Sequence, residues 1–365
     1  MTAEKNSPVA ALGPARWALV GARTTAERKA RGQGLTLFRT VSEGRVWSLA
    51  HTLALTNPSF QVLNRAGTHA YTVHGDFREV SVIAVSPAGG LALLQSASTG
   101  GVNPVHLCLS DDGRFLLVTN YAGGQLVCFP VLPDGLLGEP SDRLAFQGTP
   151  GPLGRHQTGP HPHQVVQWPG SAFYLVPDKG LDQLHVLRLS PQGRLEQVFT
   201  YQAPPGSGPR HLSLVPGENA FWLCLELGSA VVRLVFDPAS GQVLAAGEVV
   251  STLPVAPQAE LGDCSAAGIV LHPSRRCLYV SNRGRDSVCV MVLDPATGAA
   301  TPLRWVPTQG HTPRFITLTP TADALIVANE DSDTVLRFAL DGDGLPGEGQ
   351  VVAHTGSPVC VSFLE

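Results

Sequence analysis

The sequence predicts an all-β protein: a seven-bladed β-propeller of four-stranded blades, its ring closed by N- and C-terminal strands that share one blade. Three observations carry that prediction. Glycine (39) and proline (30) are abundant, and short apolar runs recur between clusters of Gly, Pro, Asp and Asn, as in chains built from many short strands. A unit of apolar strand, polar turn and second apolar strand repeats along the chain. Its repeats begin at Asn57, Asn103, His161, Gly208, Ser265, Thr312 and Ser357, in steps of 46, 58, 47, 57, 47 and 45 residues. Four strands in a period of about 40–50 residues make one propeller blade.

Taken in order, residues 1–14 are small and polar and are expected to form a flexible tail on a single domain spanning 1–365. Apolar runs at 16–22, 35–39 and 46–53 supply three strands. The stretch 24–31 is helix-like, but too short to hold a helix by itself. The repeat then appears at 59–73, 105–120, 211–226, 267–282 and 314–329. Third strands follow, for instance at 124–131, 230–236, 287–293 and 334–340. Tight turns such as Asp237-Pro238-Ala239-Ser240-Gly241 and Asp294-Pro295-Ala296-Thr297-Gly298 lead into fourth strands. The run 357–364 pairs with the N-terminal strands in the seventh blade and leaves no open sheet edge between first and last. No Trp-Asp or Gly-His signature repeats, so the array is not of the WD40 kind.

Composition narrows the function. The chain is 43% apolar and 15% charged, with a net charge of −4 and no block of like charge, which argues against nucleic acid or a membrane surface as partner. No apolar run reaches eighteen residues. Seven cysteines, an odd number without a Cys-x-x-Cys, sit mostly inside apolar runs and read as buried thiols of a reducing, cytoplasmic compartment. Only Lys5, Lys29 and Lys179 are lysines, so arginine is the main anion ligand.

The stretch with most chemistry is 156–168, where His156, His161 and His163 cluster among prolines and glycine, with 164–168 reading as the start of a strand. Similar loop-to-strand stretches hold Gly208-Pro209-Arg210-His211 and Thr312-Pro313-Arg314-Phe315. Arg283 follows the second strand of its blade, and Glu226 ends an otherwise apolar strand, where a carboxylate needs a partner. Taken alone, each of these arginines reads first as a solvated or inter-blade salt-bridge residue, and Glu226 as a structural ion-pair partner. Together, at equivalent places of several blades, they suit an anionic substrate and acid–base chemistry. No third ligand stands near His161 and His163, so no metal and no cofactor is expected. Signatures of serine hydrolases, zincins, P-loops and dinucleotide folds are absent.

The segments Asn57-Pro58-Ser59-Phe60, Asn120-Tyr121, Pro160-His161-Pro162-His163, Gly208-Pro209-Arg210-His211, Glu226-Leu227, Tyr279-Val280-Ser281-Asn282-Arg283, Thr312-Pro313-Arg314-Phe315 and Pro358-Val359-Cys360-Val361 resemble the seven-bladed propeller lactonases. That group includes bacterial 6-phosphogluconolactonases and fungal carboxy-cis,cis-muconate cyclases. The resemblance runs from about residue 16 to the end. It implies catalytic residues His163, Arg210, Glu226 and Arg283. It also implies substrate contacts from Asn120, Tyr121, His156, His161, Lys179 and Arg314. The chain departs from the family's pattern at His156, where arginine is common, and at Lys179. The expected activity is hydrolysis of a small anionic lactone, 6-phosphogluconolactone first, with His163 as base, Arg210 and Arg283 on negative charge, and Glu226 holding an arginine or the histidine. A muconate-type cyclase and a non-catalytic binding platform are the alternatives.

Overall fold

The computed structural model describes residues 17–41, 44–255, 263–274 and 276–364; the expected tail at 1–14 lies outside them. The described residues form seven antiparallel sheets, and no α-helix occurs among them. Six sheets take consecutive strands within 58–98, 104–145, 166–202, 209–251, 265–307 and 313–354, here blades 1 to 6. Blade 7 places Pro358–Leu364 innermost, beside Trp17–Ala22, then Leu35–Val41 and Val46–Leu53. The expected closure is therefore present: Ala18 pairs with Phe363 and Val20 with Val361.

The strands follow the sequence reading with two differences. The predicted inner strand at 164–168 shrinks to Val166–Gln167, because the chain pairs once at Pro162–Asp178 and then leaves the ladder for three residues. The helix-like 24–31 forms one 3₁₀ turn, Ala26–Arg28. In blade 4 the outer edge is divided into Val243–Ala245 and Val250–Ser251, both paired to the third strand.

The core is a ring of seven apolar clusters, each lying between two neighbouring blades. Phe221, Leu223 and Leu234 of blade 4 pack on Leu175, Leu184 and Val186 of blade 3. Leu19, Leu35 and Leu37 of blade 7 pack on Ala70, Ile83 and Val85 of blade 1. Burying one such leucine, isoleucine or phenylalanine contributes roughly 1.5–3 kcal/mol. A single hydrogen bond contributes a net ~0.5–1.5 kcal/mol. Apolar packing between blades thus holds the ring shut, and the polar groups at the channel are left available for function.

Candidate active site

The site grows out of one repeated irregularity. At Asn57, Asn103, Gly208, Thr312 and Ser357 the backbone has φ of 43°, 56°, 62°, 56° and 44°. A proline follows each of them. Proline cannot donate to a ladder, so it suits the first residue of a strand facing the channel. Pro58, Pro104, Pro209 and Pro313 pair with His74, Asn120, Leu225 and Asn329, and the register then slips by one. The residue left over is Ser59, Val105, Arg210 or Arg314. In blade 3 Pro162 pairs with Asp178, and His163 donates its N–H to the Pro177 carbonyl at 2.9 Å before the ladder resumes. Bulges re-aim side chains. Here they turn Ser59, Val105, His163, Arg210 and Arg314 into the central channel, where they line one cavity with Arg23 and His211.

A second layer lies one residue beyond each proline's partner. Gly75, Tyr121, Lys179, Glu226, Glu330 and Arg23 each donate their N–H to the carbonyl of the residue before the proline, at 2.7–3.1 Å. Arg283 takes this place in blade 5, opposite Ser265. Tyr121, Lys179, Glu226, Arg283, Glu330 and Arg23 are therefore six occupants of one structural position. Arg23 and Glu330 were missed in the sequence reading. Aligning the repeats on the residue after the second strand is the signal that finds them.

Glu226 is the hub. It is buried, and its Oε1 accepts from Lys179 Nζ at 2.9 Å. Arg283 Nη2 stands 3.1 Å from the same oxygen, and Arg210 Nε stands 2.9 Å from Oε2. The two arginines are in ion-pair contact but off the hydrogen-bond line. Burial by itself would raise the Glu226 pKa; Arg283, Lys179 and Arg210 together reverse this and hold it well below the carboxylate range. Arg210 also donates Nη1 to the Ala267 carbonyl at 2.6 Å. Burial pushes its pKa down to about 9, with Glu226 opposing and Arg283 and Arg314 adding to the fall. Of the three cations on Glu226, the Arg283 side chain is the most exposed at 17% and Arg210 the least at 3%.

His163 is buried beside this hub, with Nδ1 enclosed and without a hydrogen-bond partner among the described residues. Its ring meets Tyr121 edge-on at 5.5 Å and His211 at 5.1 Å. Burial first, and Arg210 second, push its pKa well below 6.5, so the imidazole is neutral. His161 stacks flat on Tyr121 at 4.5 Å and donates Nδ1–H to the Tyr121 carbonyl at 3.1 Å. Lys179 Nζ lies over the Tyr121 ring, 5.6 Å from its centre. Arg314 faces Glu330 at 3.4 Å.

The structure thus brings His163, Arg210, Glu226, Arg283, Lys179, Tyr121, His161 and Arg314 to one channel mouth. It places two of the expected contacts differently. Asn120 is fully buried at a strand end, where its Oδ1 accepts from Thr99 at 2.7 Å. Asn282 makes the same bond to Thr252, and Asn329 holds the Thr308 carbonyl at 2.9 Å. This asparagine ties the second strand of its blade to the end of the outer strand of the blade before it, a structural device repeated in three blades. His156 is exposed at the end of the 3₁₀ turn Gly154–His156, in the loop before blade 3, where its Nε2 accepts from Arg155. That loop is held by the buried Gln157, which donates to the Lys179 carbonyl and to Asp182.

Across the two layers stand five cations (Arg23, Lys179, Arg210, Arg283, Arg314) and two carboxylates (Glu226, Glu330), a balance of 5 − 2 = +3 in a chain whose net charge is −4. Among the described residues no group of three or more His, Cys, Asp or Glu could hold a metal ion. No helix among them is long and apolar enough to cross a membrane.

The fold is a seven-bladed propeller with a buried histidine and a fourfold ion cluster gathered at one mouth of its channel. The chain belongs to the seven-bladed β-propeller lactonase family, whose model matches residues 18–363. It is 30% identical over 345 residues to a protein of Bacillus subtilis named 6-phosphogluconolactonase, covering 92% of this chain and 96% of the relative. The crystal structure of a putative 6-phosphogluconolactonase from Bacteroides fragilis superposes with a TM-score of 0.86 at 27% identity, covering 99% of this chain and 100% of that one. A periplasmic gluconolactonase of Pseudomonas aeruginosa gives a TM-score of 0.86 at 26% identity, covering 96% and 99%.

Proposed function

We propose that this lactonase hydrolyses 6-phosphogluconolactone to 6-phosphogluconate in the cytoplasm, at the channel mouth around Glu226. The observation that carries the reading is the cluster itself: one buried carboxylate holds Lys179, Arg210 and Arg283 in place beside a neutral histidine. Such a group costs desolvation energy that packing alone would avoid, so it is a functional arrangement rather than a stabilising one.

The reaction needs three things. Water must lose a proton as its oxygen attacks the lactone carbonyl carbon, and neutral His163 accepts it. The carbonyl oxygen becomes an oxyanion, and Arg283 and Lys179, the cations of the cluster nearest solvent, stabilise it. The ring C–O bond then breaks, and the proton passes from His163 to the leaving alkoxide. Arg210 is the buried anchor that fixes Glu226, and Glu226 fixes the other two cations without a reorganisation cost at the moment of reaction. The aromatic face of Tyr121, backed by His161, is the platform for the sugar. The surplus of three positive charges supports a phosphorylated substrate over a neutral one. It also repels a metal cation, which supports a metal-independent reaction.

The test is a coupled assay with freshly made 6-phosphogluconolactone, corrected for spontaneous hydrolysis. A rate no greater than that of the uncatalysed reaction would rule out this substrate.

A further inference from the structure

We propose that the channel cavity that adjoins the reaction site, sharing His163 and Arg210 with it, is a binding site for one weakly hydrated monovalent anion, of the size and charge of chloride or bromide. The cavity lies on the axis of the ring and encloses about 20 Å³. That is room for a single water-sized group, and not for a phosphosugar. Arg23, Arg210 and Arg314 reach it from blades 7, 4 and 6, and no carboxylate among the described residues lines it. Their counterions lie elsewhere: Asp76 for Arg23, Glu226 for Arg210 and Glu330 for Arg314.

Four polar atoms of its wall residues are buried without hydrogen-bond partners; two of them, Nε of Arg210 and Nδ1 of His163, belong to the ion cluster and the reaction site, and the other two stand apart from both. These are the Nε–H of Arg23, a residue 3% exposed, and the hydroxyl of Ser59, 7% exposed. Both can donate, and a buried donor left without an acceptor costs roughly 1–3 kcal/mol. One monatomic anion answers both donors and the excess of charge together. The rest of the wall is Phe60, Val105, Phe315 and Val359, with the buried rings of His163 and His211. Apolar walls favour an ion that sheds its water readily, so chloride and bromide fit better than fluoride. Sulfate is excluded by size.

The sequence prepares the site in one further way. Gly75 occupies, in blade 1, the position that carries Tyr121, Lys179 and Glu226 in blades 2 to 4. A Cβ placed on Gly75 would collide with Nη1 of Arg23 and would come within 2.8 Å of Ser59 Oγ. The glycine is a gap in the ring of mouth residues through which the Arg23 guanidinium reaches. Burial, and then Arg314, push the Arg23 pKa down to about 10, as expected of a cation whose local charge is under-compensated.

The test does not depend on turnover, so it stands or falls apart from the lactonase reading. Thermal melts of the full chain are recorded against sodium chloride, bromide, fluoride and sulfate at matched ionic strength. A saturable rise in Tm of a few degrees is expected with chloride and bromide, and none with fluoride or sulfate. Crystals soaked in bromide should show an anomalous peak in contact with Arg23, Arg210 and Arg314. Ser59→Ala removes one donor without a steric change and should weaken the half-saturating chloride concentration several-fold. Gly75→Ala keeps every charge but displaces the end of Arg23, and should abolish saturation. Equal shifts in all four salts, undiminished chloride binding in both variants, or a cavity without bromide would overturn the proposal.

Discussion

Replacing Glu226 by glutamine is the most informative perturbation of the cluster. The substitution keeps shape and volume but removes the only negative charge among the described residues in contact with Lys179, Arg210 and Arg283. All four side chains are less than a fifth exposed, so water screens the loss poorly. Removing one partner from a buried ion pair costs about 3–5 kcal/mol, and here three cations lose their partner at once. The glutamine carbonyl can still accept from one of them, which keeps the expected cost within that range. Against a total stability of roughly 5–15 kcal/mol, the effect is measurable by urea unfolding at unchanged m-value. Mutual repulsion among the cations is the cause, so Lys179→Met should relieve part of it. The double variant is expected to be more stable than the sum of the singles by about 1–3 kcal/mol. In turnover, Glu226→Gln should lower kcat more than it raises KM, because misplaced cations fail at the oxyanion rather than in the ground state. A cost below about 1 kcal/mol together with additivity within ~0.5 kcal/mol would refute the hub role of Glu226.

Four further outcomes are expected. His163→Ala should lower kcat by about 10²–10⁴-fold with little change in Tm; normal turnover per folded molecule would remove His163 from the chemistry. Arg283→Lys should restore only part of the activity lost in Arg283→Ala, since the planar fork that reaches both Glu226 and the substrate is gone; full rescue would show that charge alone suffices. Dialysis against a strong chelator should leave kcat/KM unchanged, and a loss repaired by zinc or manganese would contradict the metal-independent reading. Burial holds His74, His106, His163 and His211 below 6.5, His106 to about 3. The unfolded chain therefore binds up to four more protons as pH falls through 6.5, and stability is full above that value and lost below it. The slope should approach roughly 1.4 kcal/mol per pH unit for each histidine, readable from urea midpoints between pH 7 and 4. A pH-independent midpoint over that range would show that these rings titrate freely.

The sequence by itself determined the ring. Strand boundaries follow from local signals, alternating apolar residues closed by Gly, Pro and Asp turns, and these do not depend on distant parts of the chain. The repeat then fixed the number of blades, and the apolar runs at both ends fixed the closure, because an unpaired edge strand has to find a partner. The residue types of the site were legible too, since histidine, arginine and glutamate stand out in so apolar a chain. What only the tertiary structure decided is which atoms meet. Lys179 and Glu226 are 47 residues apart, and Arg283 is 57 further on; their 2.9 and 3.1 Å contacts with the shared oxygen exist because three blades rotate one backbone position onto a common axis. A one-residue bulge after Pro209, which has no separate mark in the sequence, turns Arg210 into the channel, and a break in the ladder after Pro162 does the same for His163. The strand-end geometry also sends Asn120 into the scaffold while its neighbour Tyr121 faces the mouth, since successive residues of a strand point to opposite sides. Arg23 escaped notice for another reason: its place in the site depends on ring closure, which carries the residue after the strand Trp17–Ala22 to the side of Asp76 and Arg314.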